Sequence, residues 1–385
     1  MSLFVVEPRD SLLVRDARPF GGDPGVRARS LEFPYPSTLA GGVRTRLGRG
    51  PDGVFQSERI AELLALRIRG PFLAQLAEDG SPQRWLMPAP RDAVLFEGSP
   101  ARLERLLPLR PSAGACSDLP EGLVPLGFLQ VISEKPVAGA PRFWFWEAFL
   151  DWLRFPKSRR VAPVDLGVPG LEREVRVHVS VSESTRTAKE GALFQTEGLR
   201  FTSCPAGSGL SGALRLGLAV DVEGKDLRGI AGLSGFGGER RISAWRPVAK
   251  ALPEVPAEIL DGVLRHRAAR LILLTPGCFE AGWRPGALGG ATLEAAAVGR
   301  PDLVAGWDLH RRRPKPSRRM APAGSVYFVR LPPEMTSEQM KAWVHSTWMS
   351  SLSDSDQDRR DGFGVAAVGV WDGQKAPFPG MGGKA

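Results

Sequence analysis

The feature that most constrains the fold is an order of predicted elements that occurs twice along the chain. In each half, a strand is followed by a helix or loop, a pair of strands, a second helix, a Gly-Phe-Gly stretch and a last strand. The two Gly-Phe-Gly stretches are Gly235–Gly237 and Gly362–Gly364. This β-α-β-β-α-β order predicts an α+β protein of two tandem ferredoxin-like domains, residues 1–248 and 249–385.

Hydrophobic patterning supplies the elements of this order. Apolar and polar residues alternate in Val175–Val181, which predicts a strand, and apolar residues recur at helical spacing in Ser37–Leu47, with Ser37 as a candidate N-cap. The other predicted strands are Leu3–Glu7, Leu199–Cys204, Leu214–Val222, one ending near Trp245, Arg270–Leu274, Leu293–Val298, Leu303–Asp308, Val326–Leu331 and Val365–Trp371. The other main helices are Lys225–Leu233, Ala257–Arg267 and Thr336–Trp348. The last of these is the best-defined helix, because Thr336 and Gln339 have the spacing of a capping box.

A long irregular segment interrupts the first half. Residues 49–174 are rich in proline and are predicted to form an insertion in the first domain, with small helices at Glu58–Leu66 and Trp144–Phe155. The second of these helices carries an apolar, Trp-rich stripe. Such a stripe is more often packed against the protein than exposed to a ligand. The tail after Gly373 is rich in glycine, proline and lysine, and we expect it to be loose.

The charge balance favours an anionic partner. The chain has 51 Lys and Arg residues against 42 Asp and Glu, a net charge of +9, which favours nucleic acid first and an acidic membrane surface second. No run of eighteen apolar residues occurs, and the first residues predict a strand rather than a signal peptide. Three widely spaced cysteines match neither a disulfide framework nor a zinc site, which indicates a reducing cytosol. We therefore expect a cytoplasmic protein without a membrane partner.

The strongest candidate for an anion site is the stretch from Arg15 to Arg46. Its arginines surround a Gly- and Pro-rich turn and precede a helix N-terminus, where backbone N–H groups attract phosphates. Two adjacent glycines in that helix, Gly41 and Gly42, indicate that another backbone or a ligand comes close. The candidate RNA-binding residues here are Arg15, Arg18, Arg27, Arg29, Ser37, Thr38 and Arg44. The alternative is a solvated surface whose many arginines reflect a GC-rich genome.

Further candidates for RNA binding lie in loops of both halves. Arg186 and Lys189 belong to a predicted polar loop after a strand, whose alternative is an ordinary hairpin tip. The Gly-rich junctions before the last strand of each half can expose N–H groups to anions. The candidates at these junctions are Gly235, Gly237, Gly238, Arg240, Arg241, Gly362 and Gly364. The basic, proline-rich loop at 310–319 adds Lys315, Arg318 and Arg319, with a merely solvated loop as the alternative.

Patterns that carry catalysis are absent from the sequence. The four histidines, His178, His266, His310 and His345, do not stand at metal-ligand spacing or beside a cysteine. A G-x-G-x-x-G at Gly207–Gly212 precedes a predicted strand, whereas a dinucleotide site needs a helix there. The acidic run from Asp354 lacks the glycine and the final glutamate of a calcium loop. We therefore predict no catalytic residue, no metal and no cofactor.

Several segments of the chain, taken in order, resemble one protein family. They are Arg15–Phe20, Ala28–Ser30, Phe33–Gly41, His178–Val179, Thr185–Phe194, Gly237–Arg241, Leu274–Pro276, Lys315–Pro316, Pro322–Phe328 and Gly362–Gly364. Their combination looks like the RAMP-superfamily subunit that caps the 5′ end of the guide RNA in type III-B (Cmr) CRISPR effector complexes. The resemblance covers nearly the whole chain, although residues 49–174 carry little of it.

The resemblance implies two ferredoxin-like, RRM-like domains of the RAMP type and a non-catalytic role in an antiviral ribonucleoprotein. It implies a subunit that grips the repeat-derived 5′ handle of the guide RNA. The partners that it implies are the large polymerase-like subunit on one side and the first backbone RAMP subunit on the other.

Two other functions remain open. A metal-independent RAMP endoribonuclease that processes precursor guide RNA would use His178 or His266 as general acid or base. A scaffold that contacts only proteins would place Trp144, Trp146 and Trp152 at an interface.

Overall fold

The computed structural model describes residues 2–15, 27–112, 114–203, 213–308 and 313–378. Its helices are α1 (Pro36–Leu47), α2 (Ile60–Ala65), α3 (Trp146–Arg154), α4 (Pro163–Leu166), α5 (Ala257–His266), α6 (Ser337–Thr347) and α7 (Asp356–Asp361). Its strands are β1 (Ser2–Pro8), β2 (Arg27–Ala28), β3 (Arg67–Leu76), β4 (Pro82–Pro88), β5 (Ala93–Phe96), β6 (Ala101–Arg105), β7 (Leu107–Pro108), β8 (Leu126–Gly127), β9 (Phe143–Phe145), β10 (Arg159–Val161), β11 (Gly167–Val168), β12 (Glu172–Val181), β13 (Ala188–Arg200), β14 (Thr202–Ser203), β15 (Leu214–Glu223), β16 (Gly232–Gly235), β17 (Ile242–Val248), β18 (Ala268–Leu273), β19 (Thr292–Ala297), β20 (Asp302–Val304), β21 (Trp307–Asp308), β22 (Arg313–Pro314), β23 (Arg318–Met320), β24 (Val326–Arg330), β25 (Ser350–Ser351) and β26 (Val365–Val370). The protein is thus a mixed α and β chain with several antiparallel sheets.

The chain divides into two compact units, each built from segments that are distant in sequence. The first unit consists of Met1–Arg84, Gly170–Ala251 and Leu303–Arg319, and the second of Trp85–Pro169, Leu252–Asp302 and Met320–Ala385. One division, after Ala251, lies close to the predicted domain boundary at residue 248. Residues 85–169 of the predicted insertion, however, belong to the second unit. The domain limits 1–248 and 249–385 stay a prediction.

The main sheet of the first unit has the strand order β3-β15-β1-β17-β16. β1 lies at its centre and pairs antiparallel with β15 through Val5 and Ala219 and with β17 through Val5 and Arg246. Because Leu3 to Val6 are all buried, this apolar run needs neighbours on both faces, as a central strand has. α1 packs against β3 with Leu39, Ala40 and Val43 buried.

A smaller sheet of the first unit has the order β12-β13-β2. β12 and β13 form a long hairpin, and β2 adds to β13 in parallel, with Arg27 opposite Gln195. The alternation predicted for Val175–Val181 is present, but the valines are the exposed face, with 46% to 59% of each side chain accessible. The polar residues between them are half-buried on the other face, where Arg176 binds Asp10 after β1 and His178 binds Thr196 of β13.

The second unit is organised around a five-stranded antiparallel sheet of order β19-β24-β18-β26-β25. Every residue of β18 is buried, as expected for a strand with neighbours on both edges. Helices α3, α5 and α6 pack against β26. α6 begins with the predicted capping box: Gln339 donates its backbone N–H to Thr336 Oγ1 (3.2 Å) and accepts the Thr336 N–H at Oε1 (2.8 Å).

Two predicted elements of the first half were wrong in detail. The helix predicted at Lys225–Leu233 is a single 3-10 turn, Arg228–Ile230, that leads into β16. The first helix begins one residue earlier, with Pro36 at its first position and Tyr35 rather than Ser37 as the N-cap. Proline fits this position because the N–H that it lacks would have no partner within the helix.

The predicted insertion contributes a strand of the main sheet, which contradicts its expected irregularity. β3 contains Gly70 and Pro71, a pair that is typical of turns in a sequence. The register between β3 and β15 shifts opposite these two residues, between Ala219 and Asp221. Such a bulge accommodates a proline that cannot donate a ladder hydrogen bond.

The other differences in the 49–174 segment and the tail are local. Phe143–Phe145 is a strand, and the predicted helix begins only at Trp146. The tail, expected to be loose after Gly373, pairs as far as Ala376, where the Ala376 N–H donates to Pro108 O (2.8 Å) and the Arg110 N–H to Ala376 O (2.7 Å). The sequence does not show this because the partners are main-chain groups.

Candidate nucleic-acid interface

The residues that follow β1 connect most of the predicted site of the first unit. This segment, Asp10–Arg15, pairs with β13 through Leu12 and Leu199, which exchange both backbone hydrogen bonds (2.9 and 2.8 Å). Leu13 O accepts the N–H of Gly238 (2.6 Å), and Val14 O accepts the N–H of Leu31 (2.7 Å). The Asp10–Arg15 segment therefore brings together the β12–β13 hairpin, the first Gly-rich junction and the residues after β2.

Ion pairs reinforce this meeting point. Asp10 accepts two hydrogen bonds from Arg176 on β12 (2.6 and 3.1 Å) and a further one from Arg241. Arg176 also donates to Glu174 (2.6 Å), and Arg241 to Glu239 (2.6 Å). Arg241, a predicted RNA ligand, is thus already bound to two carboxylates.

The electrostatics of Asp10 follow from these contacts. Hydrogen bonds from Arg176, helped by the Ser11 N–H and the charge of Arg241, lower the pKa of the Asp10 carboxyl from its ordinary 3.8 to about 2. The same pairing raises the pKa of the Arg176 guanidinium. Both groups are therefore charged at neutral pH, and their charges largely cancel for a distant phosphate.

The first Gly-rich junction packs against this segment rather than presenting an open loop. Gly237 has φ of 73°, and a Cβ there would lie 2.7 Å from Leu13 O. Phe236 is buried against Trp245, with ring centroids 5.4 Å apart. Gly235 ends β16 opposite Ile242, and Gly238 uses its N–H on Leu13. Arg240 belongs to the 3-10 turn, and its side chain lies outside the described parts of the structure.

The predicted arginines near residues 15–29 surround the base of one loop. Arg15 is exposed and pairs across the chain with Ser30, whose Oγ accepts the Val14 N–H (2.9 Å). The backbone of Arg27 belongs to β2, and Arg29 is exposed. Arg18 and the side chain of Arg27 lie outside the described residues.

The helix α1 uses its predicted site residues in different ways. Ser37 and Thr38 are half-buried in its first turn, and the Thr38 N–H donates to Tyr35 O (3.0 Å). Arg44 donates from Nε to Leu63 O (2.9 Å), a contact that fixes α2 to α1. The rings of Trp245 and Phe236 would lie 3.0 to 3.1 Å from a Cβ at Gly42, whereas nothing lies within 4 Å of a Cβ at Gly41.

Exposed cations lie on two hairpins. Arg186, with φ of 58°, and Lys189 are at the tip of β12–β13, and Lys315, Arg318 and Arg319 lie on and beside β22 and β23. Among the described residues, Arg29, Arg186, Lys189, Lys315 and Arg319 form no ion pair. Among the predicted site residues, these five therefore keep charge that a polyanion could bind.

The second Gly-rich junction, in the second unit, has its amide groups in use. The N–H groups of Gly362, Phe363 and Gly364 donate to Arg359 O, Asp358 O and Pro276 O. Gly364 has φ of 77°, and a Cβ there would lie 2.5 Å from Ser353 Oγ. These three N–H groups therefore stabilise the turn, and the glycines permit its close packing.

Sequence reasoning missed the charged residues that organise the first unit. Asp10, Glu174 and Arg176 were not candidates, because their partners are more than 160 residues apart in the chain. The available signal was the alternation of β12, in which charged residues at 174 and 176 occupy the face opposite the valines.

The structure also bears on the alternative functions. His178 is half-buried, and its Nε2 lies 2.8 Å from Thr196 Oγ1. Trp144 and Trp152 are buried against each other in the second unit, so of the three tryptophans in the scaffold hypothesis only the half-buried Trp146 reaches the surface. Within the described ranges, no three His, Cys, Asp or Glu side chains converge to bind a metal ion.

Among the residues that the structure describes, no helix is both long and apolar enough to span a bilayer.

Comparison with known families identifies the class of the protein. The sequence profile described as "CRISPR-associated protein (Cas_Cmr3)" matches residues 4–371. The chain therefore belongs to the Cas_Cmr3 family of CRISPR-associated proteins. It is a Cmr3-type subunit of a type III CRISPR effector, which confirms the resemblance stated above. A search of curated proteins found no relative at a significant level of similarity.

Several solved structures are similar to this chain at low sequence identity. One, "Cryo-EM structure of the Type III-B Cmr-beta bound to cognate target RNA and AMPPnP, state 1", contains a chain 15% identical, with a TM-score of 0.47 over 85% of this chain and 86% of that one. The "Cryo-EM structure of the Type III-B Cmr-beta bound to cognate target RNA" gives 17% identity and a TM-score of 0.44 at the same coverage. The "Crystal structure of Csm3-Csm4 subcomplex in the type III-A CRISPR-Cas interference complex" contains a chain that is 9% identical, with a TM-score of 0.38. The match covers 85% of this chain and 92% of that one.

Proposed function

We propose that this protein is a non-catalytic, RNA-binding subunit of a type III-B CRISPR ribonucleoprotein, and that it grips the 5′ handle of the guide RNA. The observation that carries the proposal is the family match over residues 4–371. In the complex, the subunit links the large polymerase-like subunit to the first backbone RAMP subunit. The net charge of +9 supports a guide-RNA partner, because basic proteins attract the phosphate backbone.

The fold that we infer is a pair of ferredoxin-like domains, one in each unit. In the first unit, the strands β1, β3, β15 and β17 follow in the chain and lie in the order β17-β1-β15-β3. In the second unit, β18, β19, β24 and β26 lie in the order β26-β18-β24-β19. Both sheets thus have the fourth-first-third-second order of a β-α-β-β-α-β unit.

A β-α-β-β-α-β unit has two helices, and each inferred domain contains one of them as a regular helix. α1 follows the first strand of the first unit, and α6 precedes the last strand of the second. The 3-10 turn Arg228–Ile230 stands where the second helix of the first domain would be. The predicted duplication is therefore expressed in the strands more than in the helices.

The RNA contacts that we propose centre on the exposed cations of the first unit. Arg15, Arg29, Arg186 and Lys189 are exposed on the Asp10–Arg15 side and at the tip of the β12–β13 hairpin. Lys315, Arg318 and Arg319 add a second basic hairpin. Lysine and arginine contacts to phosphates supply sequence-independent affinity, as a subunit that holds a fixed RNA segment requires.

The experiment uses the reconstituted effector complex with a guide RNA labelled at its 5′ end. Replacing Arg29, Arg186 and Lys189 together by Ala should weaken handle binding and lower the slope of log affinity against log salt by about 2, roughly 0.7 for each lost phosphate contact. Arg228→Ala is the matched control, because this exposed arginine is paired with Asp226 (3.0 Å). Handle binding and a salt slope unchanged in the triple variant would refute the placement.

The endoribonuclease alternative is tested separately. The purified protein is incubated with precursor repeat RNA and a chelator, and cleavage is followed over time. We expect none. Sustained cleavage that is lost in His178→Ala or His266→Ala would replace the binding-only function by metal-independent catalysis.

A further inference from the structure

Two rings, those of His178 and Phe194, stack on each other on the inner face of the β12–β13 hairpin. The alternation of β12 places Glu174, Arg176 and His178 on one face. Glu174 binds Ser11 and Arg176 binds Asp10. His178 lies two residues further along β12, closer to the hairpin tip. Its cross-strand partner is Phe194.

The geometry of this pair is a stack. The ring centroids of His178 and Phe194 are 5.1 Å apart and the ring planes differ by 15°. The hydrogen bond between His178 Nε2 and the buried Thr196 Oγ1 fixes the orientation of the imidazole. Both rings are half-buried, so part of the stack contacts solvent.

Three aromatic pairs in the buried core differ in both respects. Phe236–Trp245, Phe328–Trp371 and Trp144–Trp152 meet edge to face, at 80° to 87°, and are buried. Edge-to-face contact is a favourable packing of rings inside a protein. A near-parallel stack that remains half-exposed can instead be extended by another flat ring.

Cations lie along the strands that carry the pair. β2 runs beside β13 with Ala28 opposite Thr196, and the exposed Arg29 follows Ala28 in the chain. Arg186 and Lys189 are exposed at the tip of the same hairpin. An aromatic surface beside cations is the arrangement that binds unpaired nucleobases, with the ring on the base and the cations on the phosphates.

We propose that the His178–Phe194 pair is a stacking platform for one unpaired nucleobase of the guide RNA. The base lies against the imidazole and extends the stack, and the flanking phosphates face Arg186 and Lys189 at the hairpin tip. The inference rests on the proposed function, because it specifies how this chain contacts the guide. It assigns His178 a binding role in place of the acid-base role of the nuclease alternative.

The test is a double-mutant cycle between protein and RNA in the assembled complex. Guide RNAs carry an abasic site at each handle position in turn, and binding is measured for the wild type, His178→Ala and Phe194→Leu. With intact RNA, His178→Ala should lower the affinity about 5- to 160-fold, the range for one lost base stack. One abasic position should produce the same loss, and combining it with His178→Ala should add nothing.

Two further variants separate stacking from structure. His178→Phe keeps a flat ring and should retain most of the affinity, whereas it removes the hydrogen bond to Thr196. Val177→Thr changes the exposed opposite face of β12 and should leave handle binding unchanged. Phe194→Leu preserves an apolar side chain on the strand, so its loss of affinity is attributable to the ring.

The outcomes distinguish the platform from the underlying function. If His178→Ala weakens every abasic guide by the same factor as the intact guide, no base is stacked there and the proposal is overturned. The proposal is also overturned if crosslinking shows that His178→Ala loses a contact with a partner protein and keeps its contact with the RNA. If complexes lacking this chain protect the handle as well as complete ones, the proposed function itself fails.

Discussion

At the scale of single residues, the strongest constraint in the second unit is a fully buried ion pair. Asp92 and Arg270 are both 0% exposed. Arg270 also donates to Trp152 O (2.6 Å) and Val370 O (3.0 Å), and Trp152 Nε1 donates to Asp92 (2.9 Å). Two buried charges are tolerated only while such partners replace the water that they lost.

We expect Asp92→Asn to destabilise the chain by about 3–5 kcal/mol, because it leaves the Arg270 charge buried without its counter-ion. Asp151→Asn is the matched control. Its partner Arg159 is 2.8 Å away, but Asp151 is 50% exposed, so the loss should stay within about 1 kcal/mol. Urea unfolding of both variants measures the difference, and equal losses would contradict the special role of the buried pair.

Asp10 gives the first unit an acid-sensitive contact. Its pKa in the folded chain, about 2, is below the ordinary 3.8, so the carboxylate stabilises the fold above about pH 4 and loses this contribution as the pH falls towards 2. Because about a third of the side chain is exposed, the contribution should be below about 1 kcal/mol.

The measurement is hydrogen exchange in β12 and β13 between pH 4 and pH 2, corrected for the intrinsic rate. Protection should fall in the wild type over this range and should fall less in Asp10→Asn, which cannot titrate. A decline of the same size in both proteins would show that another carboxyl controls the attachment of the hairpin.

At the scale of elements, two adjacent glycines in α1 have different roles. Gly42 leaves room for the rings of Trp245 and Phe236, so close approach by another part of the chain explains it. At Gly41, a Cβ would meet no atom within 4 Å, and a glycine in a helix is unfavourable relative to alanine. The sequence indicated close approach at both positions, and the structure shows it for one.

Gly41→Ala should stabilise the chain by about 0.5–1 kcal/mol through helix propensity alone. Gly42→Ala should lose that gain, because its Cβ would meet the two rings at 3.0 to 3.1 Å and they must shift. Thermal unfolding of the two variants provides the comparison. A stabilisation of equal size at both positions would show that the two rings shift without lowering the stability of the fold.

The elements that could be predicted are those whose determinants are local. The capping box of α6 and the apolar run of β18 specify structure within a few residues. β3 was missed because its Gly70-Pro71 pair is tolerated only by a bulge against β15. The helix predicted at Lys225–Leu233 was wrong because residues 232–235 pair with β17 instead.

At the scale of the whole molecule, the chain end completes the second unit. Lys375 Nζ binds Glu294 (3.1 Å), Arg330 donates to Gly373 O (2.7 Å), and Ala376 pairs with residues 108–110. These contacts connect the end of the chain to β19, β24 and the segment after β7. Residues 373–376 are therefore part of the fold of this unit.

Ending the chain at Gly373 should destabilise the second unit by about 1–3 kcal/mol, the worth of two hydrogen bonds, and should raise hydrogen exchange at residues 106–127. A chain that ends at Phe378 keeps all the contacts described and serves as the control. Protease sensitivity and exchange of the two truncations give the comparison. If both behave alike, residues 374–378 contribute nothing to the unit.

The sequence by itself determined the strands β1 and β18, the capped helix α6, the basic character of the loops and the family, because each is encoded in local patterns and motifs. Only the tertiary structure decided which basic side chains are bound by other protein groups. Arg44 and Arg241 are bound to protein groups, whereas Arg29, Arg186 and Lys189 are exposed without an ion pair among the described residues. The sequence does not distinguish the two groups, because a guanidinium carries the same charge whether or not another protein group binds it. Whether a carboxylate or carbonyl from a distant segment comes to meet it depends on the fold.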